Sequence, residues 1–230
     1  MQTKQYIQEM TIESALRARI LQNQTSDPAH DVLHLERVVA MAKKLAEQEG
    51  GNLAVVIPAA WLHDFIVIPK NDPRRSQASR ISAVAAIEFL RSNRYEERLF
   101  PEISHAIEAH SYSAGIECKT LEAKIVQDAD RLDGVGAIGI ARCFATAGLL
   151  KRPFYSPDDP FCEKRIPNDS KFTVDHFYQK LFRTVETLQT ESGRKEGQRR
   201  ADAMARFLTH MKDEISCLQK DSSRYILTTS

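Results

Sequence analysis

The chain has 230 residues, 42% apolar and 27% charged, with 32 basic and 31 acidic side chains and a formal net charge of +1. That length is ample for one large core with a helical annex, and the charge balance excludes a broadly basic surface for nucleic acid, so any anion site must be built locally. Nine glycines and nine prolines leave room for long uninterrupted helices.

Helical periodicity dominates. Residues 3–23 predict a first helix with Tyr6, Ile7, Met10, Ile12, Leu16 and Ile20 on one side, broken by Thr25-Ser26-Asp27-Pro28. A second is expected from Asp31 to Glu49, burying Leu35, Val38, Val39, Ala42 and Leu45 and stopped by Gly50-Gly51. A third runs from Leu53 to Phe65 behind the candidate cap Asn52, and Pro58 within it implies a kink or a later start. Residues 68–76 read as a polar, basic loop. Helices follow over 78–93, 98–110 and 120–148, then an irregular Pro- and Asp-rich stretch over 151–171. Helices over 173–189 and 194–219 precede a frayed end from Asp221 to Ser230. With no convincing strand pattern, the fold class is all-α.

Cys118, Cys143, Cys162 and Cys217 are too far apart for a CxxC motif and read as unpaired, reduced thiols. Met1-Gln2-Thr3-Lys4 lacks the apolar core of a signal peptide, and the longest apolar run, Leu53 to Leu62, is about half of a bilayer crossing. A cytoplasmic protein with no membrane span is expected.

Four blocks carry candidate chemistry. His30-Asp31-Val32-Leu33-His34 places two imidazoles four residues apart, on one helix face. His63-Asp64 follows the apolar run directly. Asp128-Ala129-Asp130-Arg131-Leu132-Asp133 follows Ile125-Val126, and His105 stands with His110. Singly, each has an ordinary explanation, such as a surface histidine or a capping aspartate. The doublet differs, because an imidazole and a carboxylate at the end of a buried helix are costly unless paired or bound to metal. Two imidazoles with two carboxylates suit a borderline or hard divalent ion and lack the thiolates of a structural zinc site.

The order His34, His63-Asp64, Asp130 resembles the HD-domain superfamily of metal-dependent phosphohydrolases. His30 to Val38, Trp61-Leu62-His63-Asp64, Pro69-Lys70-Asn71-Asp72 and Gln127 to Gly134 are similar to a small stand-alone bacterial branch, the YedJ-like and YpgQ-like proteins. The match is strong over residues 25–150 and looser through Asp175 to Leu181 and Thr190 to Arg194. The resemblance implies an HD-domain helical bundle over 25–150, an N-terminal helix (1–24) packed on it, a C-terminal helical extension (151–220) and a flexible tail (221–230).

It also implies His34, His63, Asp64 and Asp130 as ligands of one divalent ion, manganese first, with magnesium, nickel, cobalt or iron as alternatives. His30 competes with His34, and Asp128 with Asp130. The expected reaction is attack of a metal-bound hydroxide on phosphorus, with Asp64 and His30 as catalytic groups. Lys70, Arg75, Arg80, His110 and Arg131 are the candidate substrate contacts, since guanidinium clamps phosphate and ammonium acts as a point charge. His110 is also a candidate for holding a second metal. Some HD nucleotidases carry an acid one turn after the doublet. Phe65-Ile66-Val67-Ile68 has none, which leaves that role to Asp64, Glu36, Asp72 or Asp128. His176, Lys180 and Arg194 are candidates for a lid. The expected substrate is a small phosphorylated molecule, a nucleotide, with pyrophosphate release from nucleoside triphosphates favoured over 5′-nucleotidase or phosphodiesterase action. A non-catalytic nucleotide sensor and a purely structural helical protein are the readings from other classes. No membrane and no stable nucleic-acid partner are expected, and a homodimer is left open.

Overall fold

The computed structural model describes residues 12–21, 32–68 and 72–225. Contacts divide the chain into two units, Met1–Asp133 with Leu188–Lys195, and Gly134–Thr187 with Glu196–Ser230. Among the described residues every regular element is helical.

The first unit is built from residues 12–21 (α1), α2 (Val32–Glu49), α3 (Leu53–Leu62), α4 (Ala78–Ser92), α5 (Phe100–His110) and α6 (Leu121–Asp133). Helix α2 buries the expected stripe of Leu35, Val38, Val39, Ala42 and Leu45, plus His34. It ends at Gly50, whose φ of 80° lies in the left-handed region and lets the Gly50 and Gly51 amides both close on the Ala46 carbonyl. Asn52 then caps α3, its side-chain oxygen accepting from the Ala54 amide at 3.0 Å.

Helix α3 packs against α2, α4, α5 and α6. Being surrounded, it is apolar on every side, and Val55 to Leu62 are all buried. Each large side chain there contributes about 1.5–3 kcal/mol by leaving water. Pro58 does not delay the start of this helix, which begins at Leu53 as expected; it sits inside it. Proline has no N–H to give the carbonyl four residues back. That carbonyl, of Ala54, accepts instead from the Tyr95 hydroxyl at 2.7 Å. The helix stops at Leu62, three residues short of the expected end, so His63 is its C-cap and Asp64 lies in the following turn.

In the second unit, α7 (Gly136–Leu149) and α8 (Phe182–Glu186) are joined by the irregular stretch expected over 151–171 and by a π-helical turn, Phe177–Leu181. Helix α9 (Glu191–Tyr225) begins within the Leu188–Lys195 segment and supplies the rest of this unit. Phe144, Phe154, Phe177 and Phe207 pack together, Phe177 stacking on Phe207 at 5.9 Å. Asp175 is fully buried and pairs with both terminal nitrogens of Arg165 at 2.5 and 2.7 Å.

Three further boundaries differ from expectation. The single helix over 120–148 is two, because Val135 is extended and Gly136, the first residue of α7, takes a φ of 75°, which the interior of a right-handed helix does not allow. The helix over 173–189 is shorter, running over 175–186 with the π-helical turn inside it. Helix α9 continues to Tyr225, past the point of expected fraying. Cys118, Cys143 and Cys162 are free thiols. Among the described residues, no single helix is long and apolar enough to cross a membrane.

Candidate metal centre

Four helix ends converge on five ionisable side chains. His34 stands in the first turn of α2, His63 caps α3, Asp64 follows it, His110 closes α5, and Asp130 lies in the last turn of α6. Two overlapping sets of three donor atoms lie within 4.8 Å of one another, His34–His63–Asp130 and His63–Asp64–His110.

The three rings are held the same way. His63 Nδ1 lies 2.9 Å from the Ala60 carbonyl oxygen, and His110 Nδ1 2.6 Å from that of Ile107. A carbonyl only accepts, so in each neutral ring Nδ1 carries the hydrogen and Nε2 keeps its lone pair. His34 Nδ1 meets Asp133 Oδ2 at 2.7 Å. Every Nε2 then faces the carboxylates: His34 Nε2 is 3.5 Å from Asp130 Oδ1, His63 Nε2 is 3.7 Å from both Asp130 Oδ1 and Asp64 Oδ2, and His110 Nε2 is 3.5 Å from Asp64 Oδ1. These gaps are too long for good hydrogen bonds. Ligands about 2.1 Å from one ion stand about 3.0–3.4 Å apart, so the spacing suits donors around a shared cation.

His63 is fully buried, and its Nε2 has no hydrogen-bond partner. An orphaned buried nitrogen costs about 1–3 kcal/mol, as much as burying one leucine contributes. Burial foremost, with His110 and His34 nearby, lowers the His63 pKa against the pull of Asp64 and Asp130. The ring is thereby kept neutral, the form that ligates. His110 goes the other way: burial would depress it, but Asp64 and Asp130 outweigh that and raise it. Asp133 is also buried, yet bonds from His34 and Arg37 hold its carboxyl far below the usual range.

Asp128, the competitor of Asp130, turns elsewhere. Its carboxylate accepts from the Gln189 amide, the Thr190 amide and the Thr190 hydroxyl, tying α6 to the residues that open α9. The other acids that could stand in for the missing one after the doublet are also held. Arg74 takes Asp72 through three nitrogens, and Arg17 takes Glu36 at 2.8 Å. Asp64 is the acid among these that remains with the cluster.

Of the candidate substrate contacts, His110 is in the cluster, and half-buried Arg131 adjoins Asp130, its pKa lowered by burial. Arg75 donates to the Ile68 carbonyl at 2.8 Å. Arg80 is exposed in the first turn of α4. Lys70 and His30 lie outside the described residues. His105 parts company with His110, its Nε2 accepting from the Lys119 amide. Of the lid candidates, His176 pairs with Asp169 at 2.8 Å, Arg194 donates to the Gln189 carbonyl, and Lys180 is exposed. Sequence reasoning assigned no role to Asp133 or Arg37. The signal was their spacing, each three residues after a proposed ligand and so on the same helix face.

The HD domain family model matches residues 32–134. The uncharacterized protein YpgQ of Bacillus subtilis (strain 168) is 28% identical over 206 residues, covering 84% of this chain and 88% of that one. A solved HD-superfamily hydrolase from Bacillus thuringiensis aligns with a TM-score of 0.70 at 28% identity, over 92% of this chain and 98% of that one. The structure of Bacillus subtilis YpgQ in complex with ADP aligns with a TM-score of 0.68 at 28% identity, over 88% and 97%.

Proposed function

We propose that this chain, a metal-dependent phosphohydrolase carrying an HD domain over residues 32–134, acts on nucleotides and releases pyrophosphate from nucleoside triphosphates. The observation that carries the metal is the lone His63 Nε2, buried without a partner and facing two carboxylates. The proposed ligands are His34, His63, Asp64 and Asp130, and the proposed ion is manganese, since an N/O set without thiolate favours such a cation. His63 is common to both donor sets, and with its Nδ1 engaged by Ala60 only Nε2 is left, so one ring cannot serve two ions. That favours a single ion. The nucleotide is supported by the ADP complex of YpgQ.

A divalent ion held here would lower the pKa of a water and offset charge on a phosphoryl oxygen. The protein's own groups supply the rest. Asp64 points one oxygen at His63 and the other at His110. We assign it to accept a proton from the attacking water, because Glu36, Asp72 and Asp128 are bonded elsewhere. His110 Nε2, beside Asp64, is placed to hold a proton against a phosphate oxygen. Arg131 is the proposed phosphate clamp, with Lys70, Arg75 and Arg80 as further cations and His30 as a further catalytic group.

A panel of nucleoside mono-, di- and triphosphates, incubated with manganese and resolved by product, tests this. The expected products of a triphosphate are its monophosphate and pyrophosphate, with turnover lowered about a hundredfold or more by Asp64→Ala. Orthophosphate as the product, or nucleotide binding with no turnover, would overturn the assignment.

A further inference from the structure

Helices α2 and α6 each present two polar residues at a spacing of three, His34 with Arg37 and Asp130 with Asp133. Such pairs share one helix face. The inner members are proposed ligands; the outer members meet each other. Arg37 Nε donates to Asp133 Oδ1 at 2.6 Å, and Arg37 Nη2 donates to Asp133 Oδ2 at 3.1 Å. The second oxygen also meets His34 Nδ1 at 2.7 Å, in a buried contact.

We infer that Arg37 and Asp133 are positioning residues that set the tautomer and aim of His34 for a divalent cation. The reasoning is one of donors and acceptors. Guanidinium only donates. With one of its nitrogens on each carboxylate oxygen, both oxygens of Asp133 are acceptors. His34 Nδ1 must then be the donor, and in the neutral ring the lone pair is left on Nε2, 3.5 Å from Asp130 Oδ1. Groups that orient a ligating imidazole in this way govern metal affinity without touching the ion. Asp133 is 4% exposed in its side chain, so water does not compete for these bonds, whereas Arg37 is 37% exposed and can be changed with little effect on packing.

The inference rests on the metal site proposed above, and the test separates the two. Full-length protein is stripped with a chelator and titrated with manganese, the free ion being followed by electron paramagnetic resonance. The stability of the stripped protein is measured in parallel. Asp133→Asn keeps the shape but puts an amide donor on one side of the group. That donor must face either Arg37 or His34 Nδ1, and the second case turns the ring to the wrong tautomer. Manganese affinity is expected to fall about 10–100-fold. Arg37→Gln, which leaves Asp133 in place, is expected to show a smaller loss in the same direction and decides the matter if Asp133→Asn does not fold. Wild-type affinity in either folded variant, even with reduced stability, would overturn the positioning role alone. No manganese binding by the unaltered protein would overturn the metal site and this inference together.

Discussion

His63→Leu separates a ligand from a structural histidine. The substitution keeps a similar volume and removes two things: the bond from Nδ1 to the Ala60 carbonyl and the orphaned Nε2. The lost bond costs about 1 kcal/mol, removing a buried unpaired nitrogen returns about 1–3 kcal/mol, and the change of shape costs less than about 1.5 kcal/mol. These offset, so in chelator the variant should lie within about 2 kcal/mol of wild type. Manganese should then divide them. At a free concentration a hundred times the dissociation constant, an ion that binds only the folded protein stabilises it by about 2.7 kcal/mol, and the variant should gain almost none of that. Urea melts in chelator and in manganese read both quantities. A loss of more than about 2 kcal/mol in chelator, the scale of breaking a satisfied core contact, would refute the reasoning. So would an equal manganese gain in the two proteins.

Tyr95→Phe should destabilise the first unit by about 1–2 kcal/mol, because the Ala54 carbonyl that Pro58 cannot satisfy loses its donor. In a Pro58→Ala background a helix N–H is available to that carbonyl, so a double-mutant cycle should show a smaller Tyr95→Phe effect; simple additivity would disprove the link. On the acid side, Arg199 foremost, with Arg200, holds Glu196 at about 2 instead of 4.5, against the effect of burial. A depressed carboxylate adds stability above its unfolded pKa and loses it as pH falls through the folded one, so this contribution should fade between about pH 4.5 and 2. Glu196→Gln should flatten the decline in that window when urea melts are compared across pH, and an unchanged slope would exclude the pair as its source.

The elements legible in the sequence are those set by short-range pattern. The α2 stripe follows from a period of 3.6, and the α3 run from unbroken apolarity between Asn52 and His63. Of the proposed ligands, His34, His63 and Asp130 fall in one set of donors, while Asp64 joins His63 and His110 in a second. What the sequence conceals is set by distant partners. Asp128 and Asp130 are two residues apart on one helix and point apart, and only the Gln189–Thr190 segment, 61 and 62 residues downstream, shows which one is occupied as a cap. Arg37 and Asp133 look like ordinary surface charges until α2 and α6 pack and bring together residues 96 apart. The break after Asp133 was hidden because Val135 to Ile140 continues an apolar pattern, whereas the left-handed φ of Gly136 has no periodic signature.

Metal content tests the central claim most directly. Full-length protein loaded with manganese, desalted and submitted to elemental analysis should carry about one ion per chain, and His63→Ala should carry almost none. A wild-type protein without bound metal, or a His63→Ala variant that retains it in full, would contradict the assignment of this cluster as the metal centre.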